Sequence, residues 1–173
     1  MVTRDKISYI LFSEKHKDVL PLFYWPEWLD TVCEGQWDAL IYKKNNEVIA
    51  VFPYHFKKKY GLSAIIAPIL TPYCGDFYLV EVDNDLKSHI QLEFIKKLPK
   101  VFYYNLGLHP LNTQKSGYLQ YNFNFKTRYT HIIKNSVFEE VYGNFDNTTK
   151  AHIRKAEKSL KVIKSLDLSL IHI

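Results

Sequence analysis

The stretch WDALIYKKNNEVIAVFPYHF, residues 37–56, constrains this chain more than any other. Side chains of a strand point alternately to its two faces, so Trp37, Ala39 and Ile41 share one side of a strand over 37–43. Asn45-Asn46 supplies two residues that tolerate positive φ, the requirement of a two-residue hairpin turn. A second strand follows over 47–56, with Val48, Ala50, Phe52 and Tyr54 on one face and Ile49 and Val51 on the other. Both faces are apolar, which only a strand covered on both sides can sustain. The segment therefore predicts a hairpin at the centre of a sheet.

Around it the chain reads as alternating short elements. The first thirty residues are expected to be irregular apart from a short helix opening at Pro26, a favourable first helical position. Lys57-Lys58-Lys59 closes the hairpin and Tyr60-Gly61 leads into a strand over 62–67. Pro68, Pro72 and Gly75 mark a loop carrying Tyr73 and Cys74, followed by a strand over 77–80. Asp83 or Asn84 caps a helix reaching Leu98, where Pro99 stops it; Leu86, Ile90, Phe94 and Leu98 form its apolar stripe, expected to pack across the hairpin. Strands are predicted over 101–106, 121–125 and 129–134, a loop over 112–116 and a short helix over 138–142. Asn147 or Thr148 caps a last helix running to about Leu160.

At 173 residues the chain suits one domain, or one domain and the start of another. Hydrophobic residues make up 47% and charged residues 24%, which excludes global disorder. The 13 Tyr and 11 Phe are mostly strand residues, with a few available to line a pocket. No apolar run approaches the roughly 20 residues of a membrane span, and the N-terminus is a poor signal peptide, so the cytoplasm is the expected compartment. Cys33 and Cys74 have neither disulfide nor metal spacing and read as buried thiols. The seven histidines never fall at metal-ligand spacing; His55 and His131, on predicted strands, read as structural. Phosphate-binding glycine loops, H-E-x-x-H and G-x-S-x-G are absent from the sequence.

Charge is localised. Residues 150–164 hold Lys150, Arg154, Lys155, Lys158, Lys161 and Lys164 against Glu157 alone, and so carry the whole net charge of +5. On a helix, Lys150, Arg154, Lys158 and Lys161 make a basic stripe beside a narrow apolar one of Ile153, Ala156 and Leu160. Such a run can recruit an anionic partner: a phosphate, a nucleic acid or an acidic protein face.

A resemblance extends this reading. The segment from Trp37 to Tyr78 is similar to the N-terminal domain of FemAB-like proteins of the GNAT-like acyltransferase superfamily. VFYYNLGLHP and NFNFKTRYTHIIKN resemble later strands of that domain, and NTTKAHIRKAEKSLKV resembles the helix that opens its second domain, of pattern R-x-x-I-R-K-A-x-K. Lys150 stands where that pattern has Arg, and His131 where Tyr often follows Thr. The resemblance implies an α+β fold with a mixed, mostly antiparallel GNAT-like sheet flanked by helices. It implies a first domain over 1–145, the truncated start of a second over 146–165, and a non-native tail over 166–173, for which a natural edge strand is the other reading. It further implies transfer of an acyl group, from a thioester such as acyl-CoA or from aminoacyl-tRNA, to an amine. Donor-binding elements lie mainly in the second domain, so no cofactor is expected on this chain and its own second domain is an expected partner. Candidate contacts to a phosphate-bearing donor or acceptor are Lys57, Lys58, Lys59, Tyr73, Arg128, Lys150, Arg154 and Lys158, with no catalytic residue or metal ligand assigned. The alternative is a non-enzymatic module whose basic helix binds an anionic partner such as nucleic acid.

Overall fold

The structure, a computed structural model, describes residues 1–129 and 137–161, with the Phe138 side chain left aside. The expected strand over 129–134, with His131, and the tail over 166–173 lie outside the described residues, save Tyr129, which is in no strand. The chain divides into two compact units, Met1–Phe125 and Lys126–Ile173.

The first unit is built on the hairpin. Strands β2 (Trp37–Lys44) and β3 (Glu47–Lys59) pair antiparallel through the Asn45-Asn46 turn, whose φ values of 51° and 66° are those of a primed turn. β1 (Val2–Arg4) adds antiparallel to β2, and β4 (Leu62–Ile66) to the second half of β3. The two-residue β5 (Phe77–Tyr78) pairs with the first half of β3, and β6 (Tyr103–Asn105) runs parallel to β4. The order β1-β2-β3-β4-β6, with β5 off β3, makes a mixed and mostly antiparallel sheet. With helices on both sides it is the α+β, GNAT-like class that the resemblance implies.

Each face of the hairpin has its own core. Leu40, Tyr42, Ala50, Phe52 and Tyr54 pack with Ile90 and Phe94 of α3 (Asn84–Lys97), a helix capped by the Asp83 side chain. Trp37, Ala39, Ile41 and Val51 pack on the opposite side against Tyr9, Tyr24 and Leu29. α3 therefore crosses the hairpin on the face away from Trp37, Ala39 and Ile41. Alternation also breaks once. Tyr42 pairs with Ala50 but Lys43 with Val48, leaving Ile49 as the extra residue of a bulge. Ile49 consequently joins Ala50 on the α3 side, and Val48 turns to the other core, away from Ala50, Phe52 and Tyr54.

Three expectations need correction. The N-terminal thirty residues are ordered: β1, α1 (Lys6–Lys15) and a 3₁₀ turn at Leu22–Tyr24 precede α2 (Pro26–Val32). The Asp5 side chain caps α1 at the Ser8 amide, and the buried stripe consists of Tyr9 and Ser13, whose hydroxyls bond to the carbonyls of Tyr24 and Ile10. Tyr121, Phe123 and Phe125 form no strand, because a short helix α4 (Ser116–Leu119) comes first and Asn122, at φ 59°, breaks the extended path. Phe123 instead packs edge-on against Tyr104 and Tyr118. The three lysines 57–59 belong to β3 rather than to its exit turn.

In the second unit, α5 (Phe138–Gly143) precedes α6 (Asn147–Ser159), which is capped by Asp146 one residue before the expected cap. α6 buries none of its residues. Among the described residues, no helix is long and apolar enough to cross a membrane. Phe94 is fully buried at 5.4 Å from the Phe52 ring, so Phe94→Ala should cost about 3–5 kcal/mol in urea unfolding, whereas Leu160→Ala, at 68% exposure, should stay within about 0.5 kcal/mol.

Candidate functional site

Between β5, the start of α3 and the loop after β6 lies a cavity of about 320 Å³, with Phe77, Tyr78, Lys87, His109 and Asn112 in its wall. Its base is Asp76, fully buried one residue ahead of β5. A carboxylate out of water must have its oxygens hydrogen-bonded, and Asp76 accepts from four side chains. Tyr118 donates its hydroxyl at 2.5 Å to one oxygen; Asn112 Nδ2 at 2.6 Å, Tyr78 at 2.9 Å and Gln91 Nε2 at 3.3 Å converge on the other. Gln91 also donates to the Gln114 carbonyl at 2.8 Å and accepts from the Gly117 amide at 3.1 Å. Only glycine fits at 117: a Cβ there would lie 2.5 Å from Gln91 Cβ and 2.6 Å from the Ser88 carbonyl. Gly107 is similarly constrained, since a Cβ would stand 2.5 Å from the Pro72 carbonyl oxygen.

His109 completes the wall. Its ring meets those of Tyr73 at 4.8 Å and Phe77 at 5.3 Å, both edge-on, and its Nδ1 accepts from the Leu111 amide at 3.3 Å. Burial lowers the pKa of His109, with Asp76 opposing, so the ring is neutral near pH 7. With Nδ1 accepting, the ring proton sits on Nε2, which makes the imidazole a hydrogen-bond donor. Lys87 holds its ammonium 5.5 Å from the Tyr78 ring centre, and the buried Asn112 Oδ1 has no donor among the described residues. The wall thus offers aromatic surface, a neutral imidazole and one cation, a set suited to a small polar molecule. Burial pushes the Cys74 and Cys33 thiols up to about 12, so neither is a nucleophile at neutral pH. Among the described residues no group of three or more His, Cys, Asp or Glu could hold a metal ion.

Of the residues singled out from sequence, Tyr73 is the one beside this cavity, held between Phe23 and His109. Lys57, Lys58 and Lys59 are exposed at the far end of β3. Arg128, Lys150, Arg154 and Lys158 belong to the second unit, where Lys150 donates to the Gly143 carbonyl at 2.7 Å and Arg154 Nε to the Lys150 carbonyl at 3.2 Å. Sequence reasoning missed Asp76, Gln91, His109, Asn112 and Tyr118. The available signal was an acid placed directly between Cys74-Gly75 and an apolar strand, where charge is out of place.

No protein-family model matches the chain, and no curated protein does. Among solved structures, the crystal structure of a possible acetyltransferase from Clostridium difficile 630 is similar, with 14% identity and a TM-score of 0.38, over 79% of this chain and 97% of that one. A likeness this distant carries no argument about what the chain does.

Burial lowers the pKa of His55 as well, so both imidazoles are harder to protonate in the folded state than in the unfolded chain. Above about pH 6.5 both states are neutral there. As pH falls below that value the unfolded chain binds protons first, and the folded state loses stability until its own lowered pKa values are passed. Urea unfolding at pH 7.0, 6.0 and 5.0 should show stability decreasing stepwise, and a His55→Gln, His109→Gln double variant should flatten that slope. Carboxylates held low, such as Asp5 and Glu93, add their own loss only at more acidic pH.

Proposed function

We propose that this fold serves acyl transfer, moving an acyl group from a thioester or aminoacyl-tRNA donor to an amine. The observation that carries the reading is the mixed, mostly antiparallel sheet flanked by helices, the class implied by the FemAB-like segments over 37–78. In this reading the residues from 146 onward open a second GNAT-like domain that holds most of the donor.

The chemistry asks for three things: a route for the amine proton, donors for the oxygen that gains charge when the carbonyl is attacked, and a hold on the donor's phosphates. No covalent enzyme intermediate is needed. A neutral His109 with its proton on Nε2 supplies a donor of the second kind, and Phe77 and Tyr78 give an aromatic wall to an acyl or aminoacyl group, with Tyr73 edge-on behind His109. Lys57, Lys58 and Lys59, Arg128, and Lys150, Arg154 and Lys158 are the proposed cationic contacts. A second reading, a non-enzymatic module docking α6 on an anionic partner such as nucleic acid, is favoured by one observation: α6 buries no residue and leaves Arg154, Lys155 and Lys158 exposed.

The test is turnover. The 173-residue chain, incubated with acyl-CoA or aminoacyl-tRNA and a panel of primary amines, should release no thiol or free tRNA above background. A protein carrying both domains should do so with matching acylation of the amine. Turnover by the 173 residues alone would contradict the role given to the second domain, and none from the two-domain protein would contradict acyl transfer.

A further inference from the structure

The face of the sheet covered by α1 and α2 at β2 and the first half of β3 continues past their reach. Phe56, Ile65 and Tyr104 turn toward the α3 core, so their strand neighbours Lys57, Ala64 and Tyr103 point to the opposite side. These three are paired across the ladder, Lys57 with Ala64 and Ala64 with Tyr103, and the next pair along is Lys59 with Leu62. Neither hydrophobic core includes Leu62, Ala64 or Tyr103. Leu62 is 58% and Tyr103 52% exposed; Lys57, Lys59 and Asn105 are exposed as well.

Adjacent strands lie about 4.8 Å apart, so Lys57 and Tyr103 stand roughly 10 Å apart with only the Ala64 methyl between them. The result is a shallow trough with a cation on one bank and an aromatic ring on the other. No carboxylate belongs to this face of β3, β4 or β6; Glu34 approaches only its His55 end. A polyanion with planar groups at regular intervals matches both banks, whereas an acidic peptide would engage the lysines and leave the ring unused. We propose that the open face of β3, β4 and β6 binds an unpaired nucleic-acid strand, with Tyr103 stacking on a base, Lys57 and Lys59 on phosphates and Asn105 at a base edge. This surface shares no residue with the Asp76 cavity, and the proposal does not depend on acyl transfer.

The experiment is fluorescence anisotropy of a labelled uridine decamer with the full 173-residue chain, titrated at 50, 100 and 200 mM KCl. Saturable binding that weakens linearly in log–log form with salt is expected. Tyr103→Ala should weaken it roughly 5- to 100-fold with the salt slope unchanged, and Tyr103→Phe should retain it. Lys57→Gln and Lys59→Gln should each make the slope shallower by about 0.7. A Lys97→Gln variant, which removes an exposed cation of α3 on the other side of the sheet, should bind as the parent does. No binding at 50 mM salt would overturn the proposal. So would indifference to Tyr103→Ala, a loss in Lys97→Gln as large as in Lys57→Gln, or equal competition by a glutamate decamer or a duplex of the same length.

Discussion

The structure around the cavity depends on one buried acid. Asp76 receives donors from β5, from the middle of α3, from the loop after β6 and from α4, segments separated by as many as 42 residues in the chain. Desolvating an aspartate is unfavourable unless its oxygens are occupied, so the four donors and the acid are each conditions for the others. Gln91 extends the arrangement: it reaches Asp76, the Gln114 carbonyl and the Gly117 amide together, and it can do so because position 117 has no side chain. Ser88 and Ser116 also meet across the same α3–α4 contact.

This polar joint is possible because the hairpin beside it is settled independently. β2 and β3 bury both faces, one on α3 and one on α1 and α2, and the bulge at Ile49 increases the local twist where β5 joins. Phe77 faces the N-terminal core while Tyr78 packs on the α3 core, so β5 ties the cavity wall to both layers. His109 is in turn held by Tyr73 and Phe77, which makes the one neutral imidazole of the cavity an extension of the N-terminal aromatic layer. The opposite face of the second half of β3 with β4 and β6, which α1 and α2 do not reach, is where exposed lysines and Tyr103 gather among the described residues.

Legibility in the sequence followed locality. The hairpin was readable because its period-2 pattern and its Asn-Asn turn lie within twenty residues, and α3 because its cap, stripe and stopping Pro99 are contiguous. The N-terminal layer was hidden because its buried helix face is Tyr9 and Ser13, residue types that score as polar until their hydroxyls find carbonyls. Tyr121, Phe123 and Phe125 imitated a strand, yet the Phe123 and Phe125 rings answer to Tyr104 and Tyr118 rather than to a ladder, and Tyr121 is exposed. The cavity was least legible. Tyr73 was found because its loop is aromatic and marked by prolines, but nothing in the order of residues 76, 91, 112 and 118 announces that they converge on one carboxylate.

The most direct measurement is a double-mutant cycle in urea unfolding with Asp76→Ala and Tyr118→Phe. Removing the acid leaves the Tyr118 hydroxyl and Asn112 Nδ2 without an acceptor among the described residues, at roughly 1–3 kcal/mol for each. The account predicts a loss of roughly 2–6 kcal/mol for Asp76→Ala, with Tyr118→Phe partly relieving it, so that the pair couple by about 1 kcal/mol or more. A loss below about 0.5 kcal/mol for Asp76→Ala, with the two changes simply additive, would contradict the claim that this acid holds the cavity together.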